Sequence, residues 1–519
     1  MEQETTVAGD RVDIRFNVIA AFDENRGIGM SGELPWPHCR EDMKRFSSVT
    51  TSSISAEKDV ERPNVVIMGR GTWESLPAKY RPLKNRMNIV ISTTLTQQNL
   101  SGYQDTYAAT SFEHALYLVK HGPLCYMYKD IFVIGGERLF NEAVADPRCD
   151  KIYTTELIGK WPADRHFPAL PKYFGQITRE TSLVHVGEDE MPAIFTTYES
   201  KIDFESPERV YLDVLADIVE NGHTIPSELE RTGTGTLSTF SQHMKFPIEV
   251  VNPEVLDQFG EARMLKYRVP IMTTKTLFHR GVFEELKFFL LGDTDVKPLQ
   301  DAGVRIWDGN TSREWHDKHG HPGYAVGETG PFYGFQWNHF GGDYPPSASS
   351  GGTGVNQLEY CIDLLKRDPF SRRIILSAWN PVALPDMCLP PCHVLYNFKV
   401  SVDADGRRRL NCAMHQRSGD MFLGVPFNIY STALLTIFMS RAANMLPGEI
   451  SLTIADAHIY SNHMEQVKLQ LSRTPYKWPL LQLDADISTL DDMRSLSYAD
   501  DYKLTEYYKH PAIKASMAV

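Results

Sequence analysis

"FVIGGERLF" (residues 132–140) places an apolar run of strand length, two adjacent glycines and the opening of a helix within nine residues. An apolar run without alternation has the texture of a strand covered on both faces, as in a mostly parallel sheet flanked by helices. "VIMGRGTWESLP" (66–77) repeats the arrangement, with Gly69, Arg70, Gly71 and Thr72 at the expected helix start. Backbone N–H groups and an arginine there suit a phosphate. Neither stretch matches G-x-G-x-x-G, nor does "RTGTG" (231–235), so this is not a Rossmann fingerprint. Two strand–glycine–helix turns in one small α/β domain still point to a bound dinucleotide.

Further apolar runs surround that stretch. "FNVIAAF" (16–22), "NVVIMG" (64–69) and "MNIVIS" (87–92) read as companion strands. Near residue 200 the texture changes. "TTYESKIDFESPERVYLDVLADIVENG" (196–222) reads as a last strand, a polar join and an amphipathic helix striped by Val210, Val214, Ile218 and Val219. The expected organisation is an N-terminal extension (1–15), a first domain (16–201), a linker (202–207) and a second domain (208–519). The second domain has longer helices and strands. "HRGVFEELKFFLLGDTD" stops at Gly292, and "VNQLEYCIDLLKRDP" carries Val355, Leu358, Ile362 and Leu365 on one face. "PPSASSGGTG" (345–354) lacks a following G-K-[ST] and reads as an ordinary loop.

The 519 residues are 42% hydrophobic and 23% charged, which fits a globular chain of several domains. A net charge of −13 argues against broad nucleic-acid binding, while leaving room for small anions at a local basic cluster. No apolar run reaches the roughly 18 residues that span a bilayer. The N-terminus has neither a basic nor an apolar region, so it does not read as a signal peptide. Seven cysteines without a C-x-x-C pair fit a reducing compartment, and the expectation is a cytoplasmic protein.

Two regions carry chemistry. In "NRGIGMSGELPWPHCREDMKRF" (25–46), Asp42 and Phe46 share a helical face with Met43 close by. A lone acid among apolar groups can bind a cationic heterocycle or deliver a proton. In "MCLPPCHVLYNF" (387–398), Cys392 follows two prolines and precedes His393. "MHQRSGDMFLGVPFNIYS" (414–431) adds Arg417, Ser418, Asp420 and Asn428. "DAHIYSNH" (456–463) adds His458 and Tyr460, "DPFSRRI" adds Arg372 and Arg373, and "ERTGTGT" adds Arg231. A thiolate near arginines has its pKa depressed from about 8.5, and arginines bind phosphate bidentately. A cysteine protease is rejected: neighbouring side chains on a strand point to opposite faces, so His393 is badly placed to deprotonate Cys392.

"GIGMSGELPWP", "VIMGRGTWESLP", "RPLKNR" and "VIGGERLF", in this order, make the first half resemble dihydrofolate reductase. The resemblance implies an α/β fold with a mixed, mostly parallel sheet and flanking helices. It implies that Asp42 holds the pterin and helps protonate it, supported by Thr155. Ile19, Ala20, Met43, Phe46 and Ile134 would line the folate pocket, and Arg86 would pair with the glutamyl carboxylate. NADPH would lie along Ala21, Gly29, Gly69, Arg70, Gly71, Thr72, Ser92, Gly135, Gly136, Glu137 and Arg138. A cis peptide is implied between the two glycines. Thr93 stands where many relatives carry a basic residue for the 2′-phosphate, which leaves Arg70 as the main candidate.

"RTGTGT…EELKFFLLGDTD…RIWDGN…GPFYGFQW…DPFSRRI…LPPCH…QRSGDMFLGVPFN…DAHIYSNH" makes residues 208–519 resemble thymidylate synthase, an α+β fold. The resemblance implies that Cys392 adds to C6 of dUMP and turns C5 into a carbon nucleophile. That carbon attacks the methylene of 5,10-methylenetetrahydrofolate, and proton loss and hydride transfer give dTMP and dihydrofolate. Arg231, Arg372, Arg373, Arg417 and Ser418 would hold the phosphate. His458 and Tyr460 would hold the deoxyribose hydroxyl, while His393, Gln416, Asp420 and Asn428 complete the nucleotide set. Glu285 and Tyr333 would organise proton transfers. Ile306, Trp307, Asp420, Leu423, Gly424 and Phe427 would meet the folate. Asn310 stands where several relatives carry Trp.

Together the halves resemble the bifunctional dihydrofolate reductase–thymidylate synthases of protozoa, with a trypanosomatid-like join and extension. That implies a homodimer through the synthase domain, no metal, no membrane and no obligate nucleic acid. A degenerate half serving only for binding or dimerisation is the alternative. No motif position with a catalytic role is missing.

Overall fold

The computed structural model describes residues 14–51, 62–125, 127–230, 232–252, 264–345 and 354–516. The chain forms two compact units that meet between Ile202 and Asp203.

The first unit is built on an eight-stranded sheet. Its order is Thr106–Ala109, Arg86–Ile91, Asn64–Gly69, Ile131–Gly135, Phe16–Asp23, Cys149–Leu157, Asp189–Ser200 and Phe174–Val186. The first six strands run parallel, and the last two form an antiparallel hairpin on the edge. Continuous apolar runs give this result because both faces are covered. Val65 and Ile67 enter one core with Phe112 and Phe140, while Val66 and Met68 enter another with Trp73 and Leu100. The Ile131–Gly135 strand ends at the Gly135–Gly136 peptide, which is cis, and the helix Glu137–Ala145 follows. Gly135 has φ +131°, where a side chain is disfavoured. Register sets Ala21 beside Thr155 and Met68 beside Gly135, so the turns that end these strands gather at one edge of the sheet.

The second unit has a six-stranded sheet ordered His223–Ile225, Thr236–Pro247, Leu446–Tyr460, Arg408–Asp420, His393–Val402 and Ile375–Ser377. Only Arg408–Asp420 and Leu446–Tyr460 pair in parallel. The 19-residue helix Gly424–Ala442 packs on these two strands, and it is apolar nearly all round because it is buried nearly all round. A smaller antiparallel sheet joins Glu249–Val250, Lys266–Arg268, Leu480–Leu483 and Tyr502–Thr505. Helix His279–Leu291 stops at Gly292, whose φ of +80° is the left-handed stop that a glycine allows.

Two helix faces differ from the sequence expectation. Val355 lies ahead of helix Gln357–Arg367 and is 55% exposed. The buried face is Leu358, Cys361, Ile362, Leu364 and Leu365. Helix Arg209–Asn221 buries Tyr211, Leu212, Val214, Leu215 and Ile218, leaving Val210 and Val219 partly buried. Its stripe is wider because it packs on strands Thr236–Pro247 and Leu446–Tyr460 and on helix Met464–Leu471. The residues just before it belong to the same packing. Asp203 N donates to Pro475 O, and the fully buried Glu208 carboxylate accepts from the backbone N–H and hydroxyl of both Thr273 and Thr274. The 345–354 loop is described only at Pro345 and Gly354.

Candidate active sites

In the first unit, Asp42 stands in the first turn of helix Arg40–Thr50 and is 6% exposed. Burial pushes its carboxyl up from the ordinary value. The Thr155 hydroxyl and the Arg45 guanidinium work against that rise. Ile19, Ala20 and Thr155 are buried on the adjoining strands, and Phe46 and Ile134 pack partly buried in one cluster with Ile19. Met43 is 39% exposed. Arg86 lies over the Phe46 ring at 5.7 Å and donates to Thr50 Oγ1 at 2.6 Å.

The glycine turns meet. A Cβ at Gly135 or Gly136 would lie 3.2 or 3.3 Å from Thr72 Oγ1, and one at Gly69 would lie 3.8 Å from Gly135 O. Helix Glu137–Ala145 has no side-chain cap, so its first amides remain available. Arg70 Nη1 donates to Thr94 Oγ1 at 2.8 Å, which brings it to the Ser92 turn, where Ser92 Oγ accepts from Thr94 N and Leu95 N. Gly71 and Arg138 are exposed, Ala21 is half-buried, and Gly29 pairs with Arg165. Glu137 is turned to His166, whose backbone N–H it accepts at 2.9 Å.

In the second unit, Cys392 opens the strand His393–Val402. Its backbone N–H donates to Tyr333 Oη at 2.7 Å. Arg417 lies along the preceding prolines, donating to Pro391 O at 2.8 Å and Pro390 O at 2.9 Å. Its Nη2 stands 3.8 Å from Cys392 Sγ. The prolines therefore supply the carbonyls that hold the guanidinium against the sulfur. His393 points into the core, stacked on Tyr333 at 4.3 Å and paired with Tyr396 at 2.9 Å. Burial pulls it down to about 3, so it is neutral. The pairing of His393 with Gln416 and of Asp420 with His458 puts four candidate residues on three adjacent strands.

Gln416 Nε2 donates to Asn428 Oδ1 at 3.1 Å and to Ser418 O at 2.9 Å, which fixes the rotation of the Asn428 amide. His458 lies 3.6 Å from Asp456. Burial pulls its pKa down, but Asp456 outweighs burial and holds it above the ordinary value. Tyr460 meets the His458 ring edge-on at 5.1 Å. Glu285 is 9% exposed and accepts from Trp307 Nε1 at 2.8 Å, and burial raises its carboxyl to about 7. Asp420 Oδ1 accepts from Phe422 N and Leu423 N, shaping the turn into Gly424. Ile306, Trp307, Leu423 and Phe427 are partly buried at the edge of the core. A depression of about 340 Å³ beside Arg417 is lined by Ser377, Trp379, Val394 and Leu395.

Arg372 and Arg373 are exposed, and no hydrogen bond or ion pair among the described residues ties them to this group. Arg231 lies outside the described residues. Among the described residues no three His, Cys, Asp or Glu are grouped to hold a metal ion, and no helix is long and apolar enough to cross a membrane.

The family model described as dihydrofolate reductase matches residues 15–200, and that described as thymidylate synthase matches residues 209–519. The chain is similar to the bifunctional dihydrofolate reductase-thymidylate synthase of Leishmania major, at 37% identity over 526 residues, covering 97% of this chain and 95% of the relative. It is equally similar to the Paramecium tetraurelia protein of that name, at 37% over 510 residues (97% and 99%). It is 36% identical over 546 residues to the first such protein of Arabidopsis thaliana (99% and 98%).

The chain belongs to the bifunctional dihydrofolate reductase–thymidylate synthase family. It methylates dUMP to dTMP with 5,10-methylenetetrahydrofolate and reduces the dihydrofolate produced with NADPH. The reductase half fits that cofactor. It offers two glycine turns that meet at Thr72, an uncapped helix start for a phosphate, and a cation at the Ser92 turn.

Two cations of this family member, Lys275 buried and Arg45 half-buried, lie beyond what local sequence pattern indicated. Lys275, 5% exposed in "MTTKT", donates to Phe422 O and sits over the Phe422 ring at 3.7 Å, and burial pulls it down to about 7. Flanked by threonines, it carried no local signal of burial. Arg45, in the charged helix of Asp42, is half-buried against the sheet.

Proposed function

We propose that Cys392 is the synthase nucleophile. The observation that carries this reading is the clamp on its strand entry: Tyr333 fixes the backbone N–H while Arg417, held by the two proline carbonyls, faces the sulfur. A guanidinium beside the sulfur favours thiolate, and the same cation can reach a nucleotide phosphate. The thiolate adds to C6 of dUMP, and C5 becomes the carbon nucleophile. Asn428, oriented by Gln416, offers one donor and one acceptor to the O4 and N3–H edge of uracil. Glu285, near neutrality, can both take and give a proton, and Tyr333 keeps its hydroxyl because burial pushes its pKa up. His458 and Tyr460 serve the deoxyribose, and Ser418 with Arg231 the phosphate. The folate lies against Ile306, Trp307, Asp420, Leu423, Gly424 and Phe427.

In the reductase half, Asp42 holds the pterin and supports its protonation. Ile19, Ala20, Met43, Phe46, Ile134 and Thr155 surround it, and Arg86 takes the glutamyl carboxylate. NADPH supplies the reducing equivalent when bound along Ala21, Gly29, the Gly69–Thr72 turn, Ser92 and the Gly135–Arg138 turn. Arg70, next to Thr94, is the cation for its 2′-phosphate. Separate domains at 16–201 and 208–519 would carry the two reactions, in a cytoplasmic protein.

The synthase half acts as a homodimer in which Arg372 and Arg373 cross to the partner's nucleotide phosphate. Their exposure supports this. An isologous interface would supply the pair twice. Subunit mixing tests both readings together. Cys392→Ala and Arg373→Glu homodimers should each lack synthase activity and keep reductase activity. A mixed dimer has one site with both lesions and one with neither. Random pairing should therefore restore up to roughly a quarter of wild-type synthase activity. Confirmed subunit exchange without recovery would place the arginines within their own subunit's function.

A further inference from the structure

Arg45 follows Asp42 by three residues and shares its helical face. Its side chain turns inward. One guanidinium nitrogen donates to Thr154 O and, at 3.3 Å, to Thr155 Oγ1. The other donates to Thr196 O at 3.2 Å, and the group lies over the Phe195 ring at 5.2 Å. The fork thus ties the Asp42 helix to two neighbouring strands, Cys149–Leu157 and Asp189–Ser200.

The contact with Thr155 has a directional consequence. A hydroxyl that accepts an N–H from a guanidinium must turn its own hydrogen elsewhere. The Thr155 hydroxyl acts on the Asp42 carboxyl, opposing the rise that burial imposes on it, and so favours its charged form. A guanidinium cannot lose its proton near neutrality, so this polarity cannot reverse.

We propose that Arg45 is a positioning residue of the reductase, which locks the Thr155 hydroxyl as a donor to Asp42 and thereby sets the pH at which the site takes up its proton. The inference rests on the reading of Asp42 as the proton-handling carboxyl.

Charge acts in the same direction as polarity. Arg45 is the cation acting on Asp42, whereas Cys39 precedes the helix and bears no positive charge. Burial lowers the Arg45 pKa, and Asp42, then Tyr153 and Glu180 on the sheet, oppose that fall. Glu41 on the same helix is engaged with His185 at 3.1 Å. Reduction of dihydrofolate requires a proton, so the rate falls as pH rises through the midpoint of the site. A cation beside Asp42 lowers that midpoint, and removing it raises the midpoint.

The test is the pH profile of single-turnover NADPH oxidation by the full-length chain with excess dihydrofolate. Arg45→Met should move the midpoint up by about half to one unit. Arg45→Gln, which keeps an N–H donor without charge, should move it less. Arg45→Lys, which keeps charge without the fork, should fall nearest wild type. NADPH binding in each variant, followed by the cofactor's fluorescence, reports whether the reductase half has folded, because the two halves are separate compact units. If Arg45→Met does not fold, Arg45→Gln decides, because it preserves polar contacts to the strands. Asp42→Asn separates the two ideas. If it keeps the wild-type midpoint, the reading of Asp42 fails. If it abolishes the profile while Arg45→Met and Arg45→Gln keep the wild-type midpoint, the role of Arg45 alone is overturned.

Discussion

Asp42 and Glu285 are buried to a similar degree, 6% and 9% exposed, yet the chain treats them differently. Asp42 sits in the first turn of its helix, where the dipole favours an anion, with a hydroxyl and a guanidinium beside it. Glu285 lies in the middle of helix His279–Leu291, gains nothing from a helix end, and has one indole N–H donor. Its carboxyl rises to about 7. Burial alone therefore does not define a proton-handling group. Burial raises both carboxyls, and the donors left around each one oppose that rise.

The contrast breaks first under isosteric amides. Asp42→Asn should cost reductase turnover roughly 10²-fold or more, and Glu285→Gln should do the same to the synthase. Each should spare the other reaction, measured on the same preparation. Loss of both activities from either change would mean that the carboxyls serve folding rather than chemistry.

Stability should then separate the amide's two effects. Glu285 has a folded pKa above its unfolded one, so folding favours its protonated form. Its penalty is absent below pH 4.5 and complete above about pH 7, on the order of 3 kcal/mol. Glu285→Gln removes that penalty. The synthase half should resist denaturant better at pH 8, with little change at pH 4.5. Equal effects at both pH values would contradict a strained, half-ionised carboxyl.

The smallest change sharpens the Asp42 side. Thr155→Val removes a hydroxyl without altering shape. Asp42 should hold its proton to higher pH, by about one unit, and the reductase profile should shift upward with it. An unmoved profile would leave Arg45 acting through charge alone.

Much of the framework was legible because its signals are local. Val65 to Met68 form an apolar run since both faces of their strand are covered, and Gly292 marks a helix end since few residues adopt its φ. Cys392 and Arg417 were legible as a chemical set, though not as a pair joined through proline carbonyls. What escaped was long-range. Arg45 reads as one charge in a solvated helix face until the strands carrying Thr154 and Thr196, more than a hundred residues away, are placed beside it. Val355 matched the helical period but fell before the helix began at Gln357. Tyr211, Leu212 and Leu215 widened a stripe because several partners, not one, cover that helix.

Glu208 carries a consequence for dividing the gene. Its carboxylate is satisfied by four donors from Thr273 and Thr274, some 65 residues downstream, and Asp203 is fastened to Pro475 farther still. A separately expressed synthase that starts at Asp203 keeps both fastenings. One that starts at Arg209 leaves two buried threonines without their acceptor, a loss of several hydrogen bonds in a dry interior. The safe cut for separating the two activities therefore lies on the N-terminal side of Asp203, inside the stretch 202–207 that the sequence alone reads as a linker.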